Sequence, residues 1–233
     1  MTAKYLLLPG LIGLSACMMH ERTGPMEYSN TTLDLDKSEL VHVNVQMGAG
    51  DLRVTDGAQK LLRGDFAFNM PEGKPEVNYT TSGGTGTITI KQADKGHSLI
   101  GNTKFRWDLQ LNNKVPMDFE LHFGAGQARL DLGSLQLRGV VVHIGVGELE
   151  LDLRGQVKHS YNVAVHGGVG QATVRLPADA AIHAEAHGGI GSINVRGLQN
   201  HDGYWESEAW NKSENKIRVE VTGGIGEIKL IAD

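Results

Sequence analysis

The sequence predicts an all-β, single-domain β-solenoid of stacked Gly-x-Gly rungs with an irregular N-terminal β meander cap, and three observations predict it. A Gly-x-Gly bend followed by alternating apolar and polar residues recurs six times, as MGAGDLRV, FGAGQARLDL, IGVGELELDL, GGVGQATVRL, GGIGSINVRG and GGIGEIKLI. The second glycines are Gly50, Gly126, Gly147, Gly170, Gly191 and Gly226, and the middle four are spaced 21, 23 and 21 residues apart. A near-constant period of this length marks a stack in which each repeat buries its apolar edge only against its neighbours. No segment sustains the 3.6-residue apolar period of a long helix.

The N-terminus reads as a lipoprotein signal. Lys4 precedes an apolar stretch, Tyr5 to Leu14, that ends in Leu14-Ser15-Ala16-Cys17. The stretch is too short for a stable transmembrane helix, and small residues before a cysteine suit cleavage just ahead of it. Residues 1–16 are then the signal peptide, Cys17 becomes the lipidated first residue, and residues 17–30 form a polar tether. The alternative is an ordinary secretory signal with an incidental cysteine. Cys17 is the only cysteine, so it has no disulfide partner. Met18 is not the aspartate that retains enteric lipoproteins in the inner membrane, which favours the outer membrane where the cell has one.

Residues 31–233 form the folded unit. Its first part, 31–118, is irregular, because 76 residues separate Gly50 from Gly126. Leu61–Asn69, Glu76–Thr81 and Thr85–Lys91 are expected strands, with Ser82-Gly83-Gly84 as a hairpin turn. The regular rungs occupy 119–233. Val140, Val142, Ile144 and Val146 alternate on one face, and Leu149, Leu151 and Leu153 on the next, with the phase slipping at Gly147. Tyr161, Val163 and Val165 followed by Ala172, Val174 and Leu176 repeat that pattern. Each rung is therefore two short strands joined at a glycine corner and returned by a polar turn such as Arg154-Gly155-Gln156. The last two bends lie 35 residues apart, leaving an insertion from about Gly197 to Asn215 with Tyr204, Trp205 and Trp210. It is expected to cover the sticky strand edge of a terminal rung; a ligand-contacting loop is the alternative.

Arg106-Trp107-Asp108, Val115-Pro116-Met117-Asp118, the Gly124-Ala125-Gly126 bend and its successors through Gly224-Ile225-Gly226 resemble the toast-rack domain of bacterial envelope proteins. That domain is similar to the C-terminal domain of membrane proteins in the cell-wall-antibiotic response and to domains labelled "putative adhesins". The resemblance runs from about Leu33 onward and implies a β-solenoid exposed outside the cytoplasm. It implies no substrate, cofactor or catalytic residue.

Aligning the rungs on their bends places Gln46, His122, His143, His166, His187 and Thr222 in one slot, two residues before the first glycine. Four consecutive rungs thus carry histidine on the outward face, roughly 4.8 Å apart. Such a ladder could hold a divalent metal such as zinc, copper or nickel, with Glu120 and Glu185 adding carboxylates. The plainer reading is a duplicated surface histidine without a ligand. In either case acid should load the ladder with like charge. Other outward rows, Arg129 beside Glu150 and Asp152 beside Arg175, read as solvated ion pairs.

Composition excludes several function classes. The net charge of −5, or −6 without residues 1–16, offers no footprint for nucleic acid. The bends lack the third glycine and following helix of a dinucleotide fingerprint, and no Gly-x-Ser-x-Gly, P-loop or His-Glu-x-x-His motif occurs. The sequence therefore points to a non-catalytic, lipid-anchored envelope protein presenting a rigid surface to another envelope component, a partner protein or a second copy of itself. A metal- or small-ligand-binding lipoprotein using the histidine ladder is the alternative.

Overall fold

The computed structural model describes residues 23–93 and 103–233; the expected signal peptide, residues 1–16, and the expected lipidation site Cys17 lie outside them. Within the described residues thirteen strands form one hydrogen-bonded sheet: β1 (Glu27–Leu33), β2 (Leu40–Thr55), β3 (Leu62–Phe68), β4 (Pro75–Ser82), β5 (Thr85–Gln92), β6 (Phe105–Leu111), β7 (Pro116–Asp131), β8 (Gln136–Asp152), β9 (Tyr161–Leu176), β10 (Ala181–Arg196), β11 (Gln199–His201), β12 (Tyr204–Glu206) and β13 (Lys216–Ala232). Among the described residues the only helical element is one 3-10 turn, Pro71–Gly73. Residues 27–30, expected in the tether, already belong to β1.

Six strands, β2, β7, β8, β9, β13 and β10, run through the Gly-x-Gly bends and are each 16 or 17 residues long. They pair in parallel, glycine upon glycine. A straight strand of that length would span about 50 Å. The four residues 132–135 between β7 and β8 bridge at most about 19 Å. Each rung must therefore double back at its bend, which packs its two halves face to face around one core. Rows of register-matched side chains fill that interior: Val43, Phe119, Val140, Val163, Val219 and Ala184 from the first halves are all buried. Val54, Leu130, Leu151, Val174 and Leu230 meet them from the second halves and are also buried. Each such Val, Leu or Phe side chain contributes about 1.5–3 kcal/mol by leaving water.

The corner explains the glycines. At the second glycine of every bend φ lies between +127° and +145°, a region closed to other residues. A Cβ on Gly147 would overlap the carbonyl oxygen of Gly126 in the rung before it. Val146, expected to share the buried face of Val142 and Ile144, sits between the two glycines at the apex and is 53% exposed. The bend reverses the chain at that point, so strand alternation no longer predicts which side is inside.

The rung order departs from the chain order. β13 lies between β9 and β10, so the stack reads β2-β7-β8-β9-β13-β10 and β10 is the terminal rung. The insertion after β10 gives the chain enough length to turn back. Its hairpin, β11 and β12, pairs with the first half of β10 at His183 and Ala184. Ser207, next to this hairpin and buried, accepts from the Ile182 amide at 2.9 Å and donates to the Ala180 carbonyl at 2.7 Å. The insertion thus covers the end of the stack.

At the other end β2 is a full rung paired with β7, although its sequence lies in the irregular part. Its outer edge is split between two partners: β5 takes Leu40–Gln46 and β6 takes Asp51–Thr55. β4 and β5 form the expected hairpin across Gly83-Gly84, whose φ values of +58° and +81° suit a two-residue turn. β6 and β1, the latter paired to the outer side of β3, complete the cap. Trp107 on β6 is fully buried and meets Phe66 edge-on at 5.6 Å.

Candidate functional site: the histidine groove

The outward slot before each bend carries the histidines because β7, β8 and β9 are locked in register. His122 lies beside His143, and His143 beside His166. The rings stack at 4.9 Å between centroids in both pairs, inclined by 11° and 21°. The ladder ends there. His166 pairs with Thr222 of β13, and only beyond it does His187 of β10 follow. The fourth histidine is therefore two rungs away, because the returning strand inserts between β9 and β10.

An acidic residue anchors the first rung of the ladder. Glu120 stands two residues before His122 on the same face, and its Oε1 lies 2.7 Å from His122 Nε2. Asn44 on β2 donates to Glu120 Oε2 at 3.3 Å and itself accepts from the Gln46 side chain at 2.9 Å. The carboxylate is thus held from both oxygens. Burial, then the neighbouring His122 and His166 rings, hold His143 below the ordinary imidazole value, with Glu120 acting against them. The neutral ring is the favoured form.

The ladder floors a groove of about 750 Å³. It is also lined by Lys91 and Gln92 at the end of β5, by Ala93 just after it, and by glycines of the corner. Gln92 closes the seam where β2 changes partners: its Oε1 accepts from the Gly48 and Ala49 amides at 2.8 and 3.3 Å. Its Nε2 is buried and has no hydrogen-bond partner among the described residues. No periodic signal marks Gln92 or Lys91, which belong to the meander, so sequence patterning alone does not find them.

A different cluster occupies the far end. His183 on β10 reaches Glu206 at 3.0 Å and Glu185 at 3.3 Å, one ring nitrogen to each. Tyr204 stacks on its ring at 4.8 Å and Trp210 lies at 5.3 Å. Lys216 and Arg218 sit over the Trp210 ring at 4.5 and 5.5 Å. Both nitrogens and the ring face are engaged, so this cluster binds the cap to the stack. Glu185 also approaches His187, at 3.7 Å.

The inward row beside the ladder is filled by Met47, Phe123 and Ile144, then emptied by Gly167, Gly223 and Gly188. A small apolar hollow of about 90 Å³ remains at the last three bends, and the apical Val169, Ile225 and Ile190 beside it are solvent-exposed. On the outer faces, Arg129 meets Glu150 at 3.3 Å as expected. Arg175 is adjacent to Asp152 in register but bonds Asp233 at 3.0 Å, while Asp152 takes Arg154 at 2.6 Å. Asp233, placed beside the end of β9 by a bond from its amide to the Leu176 carbonyl, supplies the partner that repeat spacing does not reveal.

A crystal structure of a "putative cell adhesion protein" from Clostridium sporogenes is 27% identical, with a TM-score of 0.84, and the match covers 89% of this chain and 100% of that one. "Putative adhesins" from Bacteroides fragilis and Parabacteroides merdae align at 10% and 12% identity over 90% and 89% of this chain and 98% and 97% of theirs, with TM-scores of 0.32 and 0.24. No curated protein matches the sequence. Residues 22–175, which include the cap, the first three rungs and most of the fourth, match the family described as the N-terminal domain of toast_rack, DUF2154. With its doubled-back rungs, its glycine corner and a match over more than half its length, the chain belongs to the toast-rack family.

Proposed function

We propose that this protein is a non-catalytic envelope protein of the adhesin type, held to the membrane by a lipid on Cys17 and presenting its rigid stack to another envelope component. The observation that carries the reading is the likeness, over 89% of this chain, to the Clostridium sporogenes "putative cell adhesion protein". The architecture supports it: parallel rungs in continuous register form a stiff scaffold, and most outward positions are polar or charged. The lipobox ending at Cys17 supports the anchor.

Two measurements test the proposal. Fractionation of cells carrying Cys17→Ser should move the protein from the membrane pellet to the soluble fraction; unchanged pelleting would refute the lipid anchor. Affinity purification from native membranes should recover one envelope component, or a second copy of the chain, in near-stoichiometric amount. Recovery of the chain alone would refute the interaction role.

A further inference from the structure

We infer that Glu120, His122 and His143 form a binding site for a divalent transition-metal ion of the zinc type at the β7–β8 rung boundary. One donor atom from each of the three residues lies within 4.8 Å of the other two. The donors span two adjacent rungs whose registers are fixed by glycine on glycine, so their backbones need not move to bring them together.

The geometry is close to that of a bound ion. Zinc takes imidazole nitrogen at about 2.0–2.1 Å and carboxylate oxygen at about 2.0–2.2 Å, which sets tetrahedral donors about 3.3–3.5 Å from one another. Glu120 Oε1 and His122 Nε2 are 2.7 Å apart and need only to part slightly. The His143 donor lies within 4.8 Å of the other two, and because its ring is inclined by only 11° to that of His122 it must tilt out of the stack to reach that spacing. Asn44 holds the second carboxylate oxygen, the outer-shell support that orients a ligating carboxylate. The ring of His166 backs His143 from the other side at 4.9 Å.

Three protein donors leave a coordination position facing the groove, as in open zinc sites. Imidazole with carboxylate suits zinc, copper and nickel better than magnesium or calcium. The Glu206–His183–Glu185 cluster is the contrast: both nitrogens of its histidine are already bonded to carboxylates and its ring is covered. Its acidic and imidazole groups are arranged for packing.

Calorimetric titration of the purified protein with zinc chloride tests the inference. One equivalent should bind with micromolar or tighter affinity. His143→Gln and Glu120→Gln should each weaken binding by about tenfold or more, and His183→Gln should leave it unchanged. Two separate variants guard against a fold defect, and circular dichroism of each should match the parent. Absence of zinc binding at micromolar affinity, or binding retained in His143→Gln and lost in His183→Gln, would overturn the site.

Discussion

At Gly147 the chain holds φ at +136° while its neighbour's carbonyl occupies the space of a side chain. Either feature alone disfavours substitution, and together they leave no relaxed alternative. Gly147→Ala should cost roughly 3 kcal/mol or more, read as a lowered denaturation midpoint; an unchanged midpoint would mean that the corner can re-form without glycine. Charged residues at the opposite corner act with smaller and opposed effects. Burial raises the Asp152 carboxyl, but hydrogen bonds from Arg154, helped by Arg175, outweigh it and hold the group below its ordinary value. A depressed carboxyl stabilises the fold above its unfolded pKa of about 3.9 and loses that contribution as pH falls through the native value. Asp152→Asn should therefore lower the melting temperature at neutral pH by the equivalent of less than about 1 kcal/mol, and the difference should close in strong acid. Asp131, next to it in register, is raised by burial and by the carboxylates of Asp152 and Asp56, against Arg154 and Arg53. Its sign is reversed: Asp131→Asn should raise the melting temperature at neutral pH. Thermal melts of the two variants across pH check both.

At the scale of the element, strands were legible where residue type alternated strictly and illegible where partners were distant in sequence. Leu62–Phe68, Pro75–Ser82 and Thr85–Gln92 fall within a residue of expectation at each end, because local alternation and a Gly-Gly turn define them. β6 is the exception: Phe105, Trp107, Leu109 and Leu111 alternate inward, yet it is absent from the expected strands. β1 carries its stabilisation from pairing with β3 rather than from an apolar face of its own. The first three histidines of the site were legible because repeat spacing fixes their slot. The displacement of His187 was not, since the order of rungs in space is not encoded in their spacing along the chain. Its signal is indirect: β10 carries Ala184 and Ala186 where the inner rungs carry Val163 and Val165, or Val219 and Val221. Smaller side chains suit a terminal rung with less interior to fill, and the bulkier β13 suits a place between two neighbours.

For the whole molecule, the late insertion of β13 makes the stack depend on its last segment. β13 supplies the parallel ladder on both of its sides, to β9 from Ile217 to Ala232 and to β10 from Lys216 to Ile231. It also contributes Ile217, Val219, Val221, Ile228 and Leu230 to the core. A solenoid assembled in chain order would lose only a terminal rung when shortened, because each repeat rests on the one before it. Here, removing residues 216–233 takes away an inner rung and leaves β10 separated from β9 by about twice the 4.8 Å strand spacing. β10 then has no ladder partner except two residues of β12, and its cap has nothing firm to cover. Hydrogen exchange on the truncated protein should show residues 181–196 losing protection to the level of surface turns, while residues 40–55 and 116–152 keep theirs. Protection retained across residues 181–196 would mean that β10 closes directly onto β9 and brings His187 beside His166. The same exchange experiment thus reports whether the fold is a sum of rungs or one unit closed from within by its C-terminal strand.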